Sequence, residues 1–123
     1  MSFIYKVIDH VQLAAPENSE ETAREFYSGI LGFTEIDKPA SLKKNGGVWF
    51  QAGGIQVHIG IEYPFVPARK AHPAFRVGNM ADLKTYLGEK GAEYREDDRL
   101  PGAKRFYMTD PFGNRLEFLE WEK

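Results

Sequence analysis

Three histidines and one glutamate are the residues of this chain whose types and positions could support metal chemistry. The three histidines are His10, His58 and His72, and each lies in a stretch that alternates like a β-strand. Glu117 lies in a fourth such stretch, RLEFLE. Imidazole and carboxylate groups are ligands that Zn²⁺, Fe²⁺, Ni²⁺ and Mn²⁺ accept. These four side chains are therefore candidate ligands for one divalent transition metal.

The alternation also predicts which face of the sheet each candidate occupies. Successive side chains of a strand point to opposite faces. In every one of the four stretches the apolar register would pack against a helix, and the candidate ligand takes the opposite register. The apolar sets are Val11 and Leu13; Val57, Ile59 and Ile61; Pro73, Phe75 and Val77; and Leu116 and Phe118. All four candidates are therefore expected on the face away from the helices.

The elements that would position these residues follow one order, βαβββ, twice. The first half has the strand YKVIDHVQLAA, a helix that Gly32 ends, and the strands TEIDKP, GGVWFQAG and IQVHIGIE. The second half has AHPAFRV, the helix MADLKTYLGEKG, and the strands AEYRED, KRFYMTD and NRLEFLE. The sequence predicts a single domain over residues 1–123, with module 1 at 1–62, a connector at 63–70 and module 2 at 71–123.

A metal site is one interpretation of the four candidates, and an ordinary structural role is the other. A lone histidine on a strand is more often hydrogen-bonded or half-exposed, and Glu117 alone could be a solvated carboxylate. All three histidines, however, occupy equivalent places in a duplicated unit. Two histidines and one carboxylate on one side of a metal also leave positions open for substrate, which is typical of a catalytic site.

The same alternation nominates substrate-binding side chains around the metal. Arg76, Arg105, Tyr107 and Arg115 take the register of the candidate ligands, and an arginine there could bind a carboxylate or phosphonate. The alternative is that these residues form a rim paired with the acidic run REDD. Gln12 could orient a ligand or pair with a neighbouring strand, and one of Trp49 and Phe50 should face the cavity while the other packs in the core.

Composition excludes several classes of partner. The net charge is −2 and the basic residues are scattered, which argues against nucleic-acid and membrane-surface binding. The sequence has no cysteine, so disulfides and thiolate ligands are excluded and a reducing compartment is favoured. No apolar run is long enough to span a bilayer, and the first residues do not resemble a signal peptide. We expect a cytoplasmic protein with a small-molecule partner.

The pattern IDHVQLA … REFYSGILGF … IQVHIGIE … KAHPAFRV … FYMTDPFGNRLEFLE resembles the vicinal oxygen chelate superfamily over essentially the whole chain. That superfamily includes glyoxalase I, extradiol dioxygenases, fosfomycin-modifying thiol transferases and bleomycin-binding proteins. The resemblance implies an α+β fold in which two βαβββ modules form an eight-stranded, U-shaped mixed sheet around a divalent metal, with the helices on the convex side. It also implies a homodimer.

The resemblance assigns roles to the four candidates. His10, His72 and Glu117 match the ligands on strands 1, 5 and 8 that dioxygenases and fosfomycin enzymes share. His58 stands where glyoxalase I has a metal-binding glutamate that is also a candidate base, so it is either a fourth ligand or a base. Glu117 and His58 are the catalytic candidates.

Two functions of different class remain open at this point. The first is a metal-dependent glyoxalase-like enzyme, whether an isomerase or lyase, a thiol transferase or a dioxygenase. The second is a non-catalytic protein that binds a drug or metabolite, as in bleomycin resistance. Because such binding proteins usually lack the metal ligands, a candidate at all four positions favours the enzyme.

Overall fold

A computed structural model describes residues 2–122, so the two end residues of the predicted modules, 1 and 123, lie outside the described residues. The elements follow the predicted βαβββ order twice. The strands are β1 (Val11–Ala15), β2 (Thr34–Ile36), β3 (Val48–Ala52), β4 (Ile55–Ile61), β5 (Ala74–Arg76), β6 (Arg95–Asp97), β7 (Ala103–Thr109) and β8 (Arg115–Trp121). The helices are α1 (Glu20–Ala23), which continues as a π-helix over Arg24–Ile30, and α2 (Met80–Glu89), and a short 3-10 helix spans Ala40–Asn45.

The strands form two sheets with the same internal order. The first sheet is ordered β1-β4-β3-β2 and the second β5-β8-β7-β6. The first strand of each module pairs in parallel with the last, and the other pairs are antiparallel. The α+β class and the duplicated module are thus confirmed. The eight strands are hydrogen-bonded as two four-stranded sheets, because β1 and β5 are edge strands that do not pair with each other within residues 2–122.

Each sheet buries one face under its helix. In module 1, Val48, Phe50, Val57 and Ile59 pack under Ala23, Phe26 and Tyr27 of the first helix. In module 2 the corresponding core residues are Phe75, Phe106, Met108, Leu116 and Phe118, with Met80 and Leu87 from α2. These are the apolar registers that the alternation predicts. The candidate ligands therefore take the opposite, concave faces.

A buried hydrogen-bond cluster joins the two modules. The Tyr27 hydroxyl donates to Oδ2 of Asp110 at 2.7 Å, and the Asn114 side-chain amide donates to the same Oδ2 at 2.9 Å and to the backbone oxygen of Ala14 at 2.8 Å. Asp110 Oδ1 also accepts from the backbone N–H groups of Phe112 and Asn114. We call Tyr27, Asp110 and Asn114 the inter-module clamp. It connects the FY…LGF helix of module 1 with the DPFGN turn of module 2.

Several strands are shorter than the sequence predicts, and two of them, β1 and β5, lie next to candidate ligands. β1 begins at Val11 rather than at residue 5, because its parallel partner β4 begins at Ile55 after a glycine turn and pairs Val11 with Val57. Residues before about position 9 therefore have no strand to pair with, and residues 2–10 are exposed. β5 spans Ala74–Arg76 only, because Pro73 before it has no N–H to donate. His10 and His72 consequently lie just before their strands.

Candidate functional site

His72 and Glu117 form a ligand pair on the concave face of module 2. His72 Nδ1 lies 2.7 Å from the backbone oxygen of Lys70, and because a carbonyl only accepts, Nδ1 carries the proton. Nε2 lies 2.8 Å from Oε1 of Glu117, which is within hydrogen-bond distance. Histidine ligands commonly donate the other ring N–H to a carbonyl or carboxylate in this way. An imidazole nitrogen and a carboxylate oxygen are ligand types that a divalent transition metal accepts, so the pair fits such an ion.

Arg105 holds the other oxygen of the Glu117 carboxylate. Its Nη1 donates to Oε2 of Glu117 at 3.2 Å, and its Nη2 donates to Asp97 Oδ1 at 3.3 Å. Hydrogen bonds to Arg99, followed by the one to Arg105, hold the pKa of Asp97 well below its usual range. Arg105 thus has two carboxylate partners, one of them in the REDD run. The structure places Arg105 beside the Glu117 carboxylate, and its contact with substrate stays a prediction.

His10 and His58 form a second pair, on the concave side of module 1. Their rings stack with centroids 4.1 Å apart, and the indole of Trp49 stacks on the other face of His58 at 3.7 Å. His10 Nδ1 lies 2.9 Å from Oδ1 of Asp9, which leaves Nε2 free for a metal. Burial between the two rings, followed by the charge of His10, lowers the pKa of His58. His58 is therefore a buried imidazole on the candidate site's face.

The ring nitrogens of His58 are arranged differently from those of the other two histidines. His58 Nε2 lies 3.0 Å from Oε1 of Gln56 and donates to it, so Nδ1 carries the lone pair. In His10 and His72 the oxygen acceptor is at Nδ1 instead. His58 therefore presents a different nitrogen for binding or for accepting a proton.

The four candidate ligands lie in two pairs, one in each module. Within residues 2–122, three or more metal-binding side chains do not converge on one point. His10 and His72 nevertheless line the same cavity, whose volume is about 790 Å³ and which lies between the edge strands β1 and β5. A single site made from all four side chains remains a prediction. The other predicted residues that line this cavity are Gln12, Arg76 and Arg115.

The aromatic candidates separate into residues of the concave faces and residues of the core. Trp49 lies on the concave face against His58, whereas Phe50 is fully buried and stacks on Tyr27 at 5.3 Å. Of the two, Trp49 therefore takes the face of the candidate ligands and Phe50 the core, and contact of Trp49 with substrate stays a prediction. Tyr107 lies on the concave face of module 2, with its ring edge-on to His72 at 5.6 Å and near the guanidinium groups of Arg105 and Arg115.

Gln12 occupies space that a glycine leaves open. Its Nε2 donates to the backbone oxygen of Leu13 at 3.1 Å, and it lies over Gly60, where an added Cβ would be 2.2 Å from Nε2. The register pairs Gln12 with His58. Gln12 thus lies beside the His10–His58 pair, and the small residue at position 60 is what allows it to do so.

Sequence reasoning missed several residues around the site. Asp97, which pairs with Arg105, enters the sequence prediction only as part of the acidic run REDD. The connector contributes Phe65 and Val66 to the cavity wall. Ile8 and Glu62, which lie outside the connector, also line the cavity. A signal was available for the connector, because its apolar residues alternate with prolines in EYPFVPARK and would otherwise be exposed.

Comparison with known proteins identifies the family. The family model described as Glyoxalase/Bleomycin resistance protein/Dioxygenase superfamily matches residues 7–118. The crystal structure of a glyoxalase family protein from Bacillus anthracis is 48% identical with a TM-score of 0.93, covering 99% of this chain and 100% of that one. A glyoxalase family protein from Enterococcus faecalis is 27% identical, with a TM-score of 0.73 and coverage of 94% and 98%.

A lactoylglutathione lyase from Agrobacterium tumefaciens shares the fold at 21% identity, with a TM-score of 0.64 and coverage of 89% and 91%. No curated protein matches this chain. Among residues 2–122, none of the helices has the length and apolar character to cross a membrane.

Proposed function

Since this chain belongs to the Glyoxalase/Bleomycin resistance protein/Dioxygenase superfamily, we propose that it is a glyoxalase-like enzyme that uses one divalent metal, Zn, Ni, Fe or Mn, to act on a small substrate held through two adjacent oxygens. The observation that carries this proposal is the His72–Glu117 pair. Its imidazole is oriented by Lys70 and its carboxylate by Arg105, as expected of metal ligands.

Each residue of the proposed site would have a separate role in the reaction. Glu117, His72 and His10 would hold the metal, and Arg105 would fix the Glu117 carboxylate. When bound, the metal acts as a Lewis acid that stabilises negative charge developing on the substrate oxygens. His58 accepts the substrate proton at Nδ1, because Gln56 already occupies Nε2. Trp49 holds the His58 ring in place from the opposite face.

Metal content tests the proposal. We expect wild-type protein, purified without chelator or histidine tag, to retain close to one equivalent of transition metal. His72→Ala and Glu117→Gln should lose most of it, whereas the exposed carboxylate variant Glu93→Gln should keep it. Iron would favour oxygen chemistry, and nickel or zinc would favour isomerisation. Less than a tenth of an equivalent in the wild type, unchanged after metal is supplied, would refute the enzyme proposal.

We further propose that the site is completed by a homodimer. The two ligand pairs belong to different modules, and the exposed segment 2–10 carries Phe3, Ile4, Tyr5, Val7 and Ile8, each at least 72% exposed. Such an apolar stretch is typical of an interaction surface. A second copy that covers it would bring module 1 of one chain against module 2 of the other.

Mixing two inactive variants tests this arrangement. His10→Ala and Glu117→Gln each remove a ligand from a different module. If sites are shared, refolding an equimolar mixture should give heterodimers with one intact site and restore about a quarter of the wild-type metal content, as random pairing in a two-fold dimer requires. If each site lies within one chain, the mixture should hold no more metal than the separate variants.

A non-catalytic binding protein is the second candidate. The observation that favours it is the cavity itself, whose lining includes apolar side chains such as Ile55, Phe65 and Val66. A binding protein would take up an aromatic ligand with the same affinity with and without metal. The proposed enzyme would instead need metal for both binding and turnover.

A further inference from the structure

We infer that the substrate carries an oxyanion, a carboxylate or a phosphonate, in addition to its two chelating oxygens, and that Arg115 binds it with help from Arg76. This inference rests on the proposed function, because it deepens the chemistry of the same site. Its starting point is the unequal treatment of the three arginines on the concave face of module 2.

Carboxylates neutralise the charge of Arg105, whereas Arg115 and Arg76 have no such partner among residues 2–122. Arg105 is 15% exposed and ion-paired with both Asp97 and Glu117. Neither Arg115 nor Arg76 makes an ion pair with a carboxylate among residues 2–122. A guanidinium group that has no carboxylate partner and lines a cavity is suited to an anionic ligand, which its planar fork can bind through two hydrogen bonds.

The strand register places both arginines next to the His72–Glu117 pair. Arg115 lies two residues before Glu117 on β8, and Arg76 lies two residues beyond Ala74, which pairs with Glu117. Two residues of a strand span roughly 7 Å. An arginine side chain covers such a distance, so a substrate held at the His72–Glu117 pair would be within reach of both guanidinium groups.

Arg115 is the better positioned of the two. It is half-buried, and its guanidinium carbon lies 5.8 Å from the centroid of the Tyr107 ring, which in turn contacts His72. A cation–π contact of this kind restricts the orientation of the guanidinium. Arg76 is exposed at the other end of the pair. Glu62 is the acidic residue in the cavity lining, where the two arginines outnumber it.

A pair of matched chelators tests the inference on zinc-loaded protein. Catechol and 3,4-dihydroxybenzoate both present two adjacent oxygens, and they differ by one carboxylate. We expect wild-type protein to bind 3,4-dihydroxybenzoate roughly 10- to 100-fold more tightly than catechol, as a charged hydrogen-bonded pair provides. Isothermal titration calorimetry measures both dissociation constants. A wild-type preference below about threefold would overturn the inference.

Variants assign the preference to a residue. Arg115→Gln should reduce it to less than about threefold while leaving catechol affinity within a factor of about two, and Arg76→Gln should reduce it partially. Arg115→Lys should give an intermediate preference, because it keeps the charge without the planar fork. Arg95→Gln, an exposed arginine on β6, serves as the control and should change nothing. Equal losses for both chelators in Arg115→Gln would contradict the inference.

A metal-free experiment separates this inference from the proposed function. Benzoate, phenylphosphonate and neutral benzamide are titrated into EDTA-dialysed wild type, and the arginine Nε–H signals are followed by NMR. We expect one or both anions, but not benzamide, to shift the Arg115 signal, and the stronger anion identifies the oxyanion. If catechol never binds but Arg115 responds, the metal proposal fails and the anion site stands. Without any Arg115 response, the anion site is refuted.

Discussion

The inter-module clamp gives a sharp prediction about stability. Tyr27→Phe removes a hydroxyl that is fully buried and donates to the Asp110 carboxylate at 2.7 Å. Hydrogen bonds to charged groups contribute about 1.5–3 kcal/mol, and Asp110 keeps its bonds from Phe112 and Asn114 in the variant. We therefore expect a loss of about 2 kcal/mol in the free energy of unfolding, and a melting temperature roughly 6–10 °C lower.

The measurement is urea unfolding at a fixed protein concentration, since a dimer's apparent stability depends on concentration. Tyr94→Phe is the matched control, because Tyr94 is half-buried and its hydroxyl has no hydrogen-bond partner among residues 2–122. We expect it to change the free energy of unfolding by less than about 0.5 kcal/mol. If Tyr27→Phe also lowers the free energy of unfolding by less than about 0.5 kcal/mol, the role of the clamp is refuted.

Alkaline pH provides a second, independent signature of the same contact. Burial, followed by the charge of Asp110, raises the pKa of Tyr27 well above its ordinary value of 10.0. A raised pKa in the folded state contributes stability that is present below pH 10 and is lost as the pH rises through the folded pKa. The difference between wild type and Tyr27→Phe should therefore shrink above pH 10. A difference that stays constant or grows there would contradict this account.

Three further predictions concern single sites in module 1 and the core. Gly47→Ala should destabilise the protein by at least about 2 kcal/mol in thermal or urea unfolding. Gly47 has φ +88°, and an added Cβ would lie 2.3 Å from the Ile59 backbone oxygen. Gly53→Ala is the milder control, because Gly53 has φ +54° and open space around it. The Gly47 backbone N–H lowers the pKa of Glu20, so this contact should contribute stability above about pH 4.5 and lose it as the pH falls through the lowered pKa. In urea unfolding, wild type and Glu20→Gln should differ by about 0.5–1 kcal/mol at pH 7, and the difference should shrink steadily as the pH falls below 4.5. Leu87→Ala should lower the free energy of unfolding by about 2–5 kcal/mol, because the Leu87 side chain is fully buried in the core. A loss below about 1 kcal/mol would mean that α2 is not packed against the second sheet as described.

The faces of the strands could be predicted from the sequence, whereas the distance between the modules could not. Alternation assigns each side chain to one side of its own sheet, and the burial of Phe106 and Met108 with Tyr107 on the other face follows that rule. The approach of one sheet to another depends on contacts between residues far apart in the chain. Whether His10 converges with His72 and Glu117 depends on such long-range contacts, so alternation could not predict it.

The local sequence pattern also fails to predict contacts made by residues that have more than one structural role. Tyr27 fits the apolar spacing of the first helix, and nothing in that spacing indicates that its hydroxyl bonds a carboxylate 83 positions away. Residues 5–10 alternate like a strand, yet a strand needs a partner, and the parallel partner β4 begins only at Ile55, too late in the chain to pair with them. Trp49 and Phe50 are equally suited to a core, and the register with β4 decides between them.

The placement of the clamp has a consequence for how this protein could acquire new activities. The Tyr27–Asp110 bond lies under the first helix and in the last β-turn, but Asn114 and its acceptor Ala14 also line the cavity. Gln12, a candidate substrate-binding residue, lies two positions before Ala14 on β1. Neighbouring substitutions commonly depart from additivity by about 0.5–3 kcal/mol, in either direction. Changes at Gln12 should therefore alter the joining of the modules as well as the cavity, so directed evolution of a new substrate preference on this scaffold would select for stability at the same time.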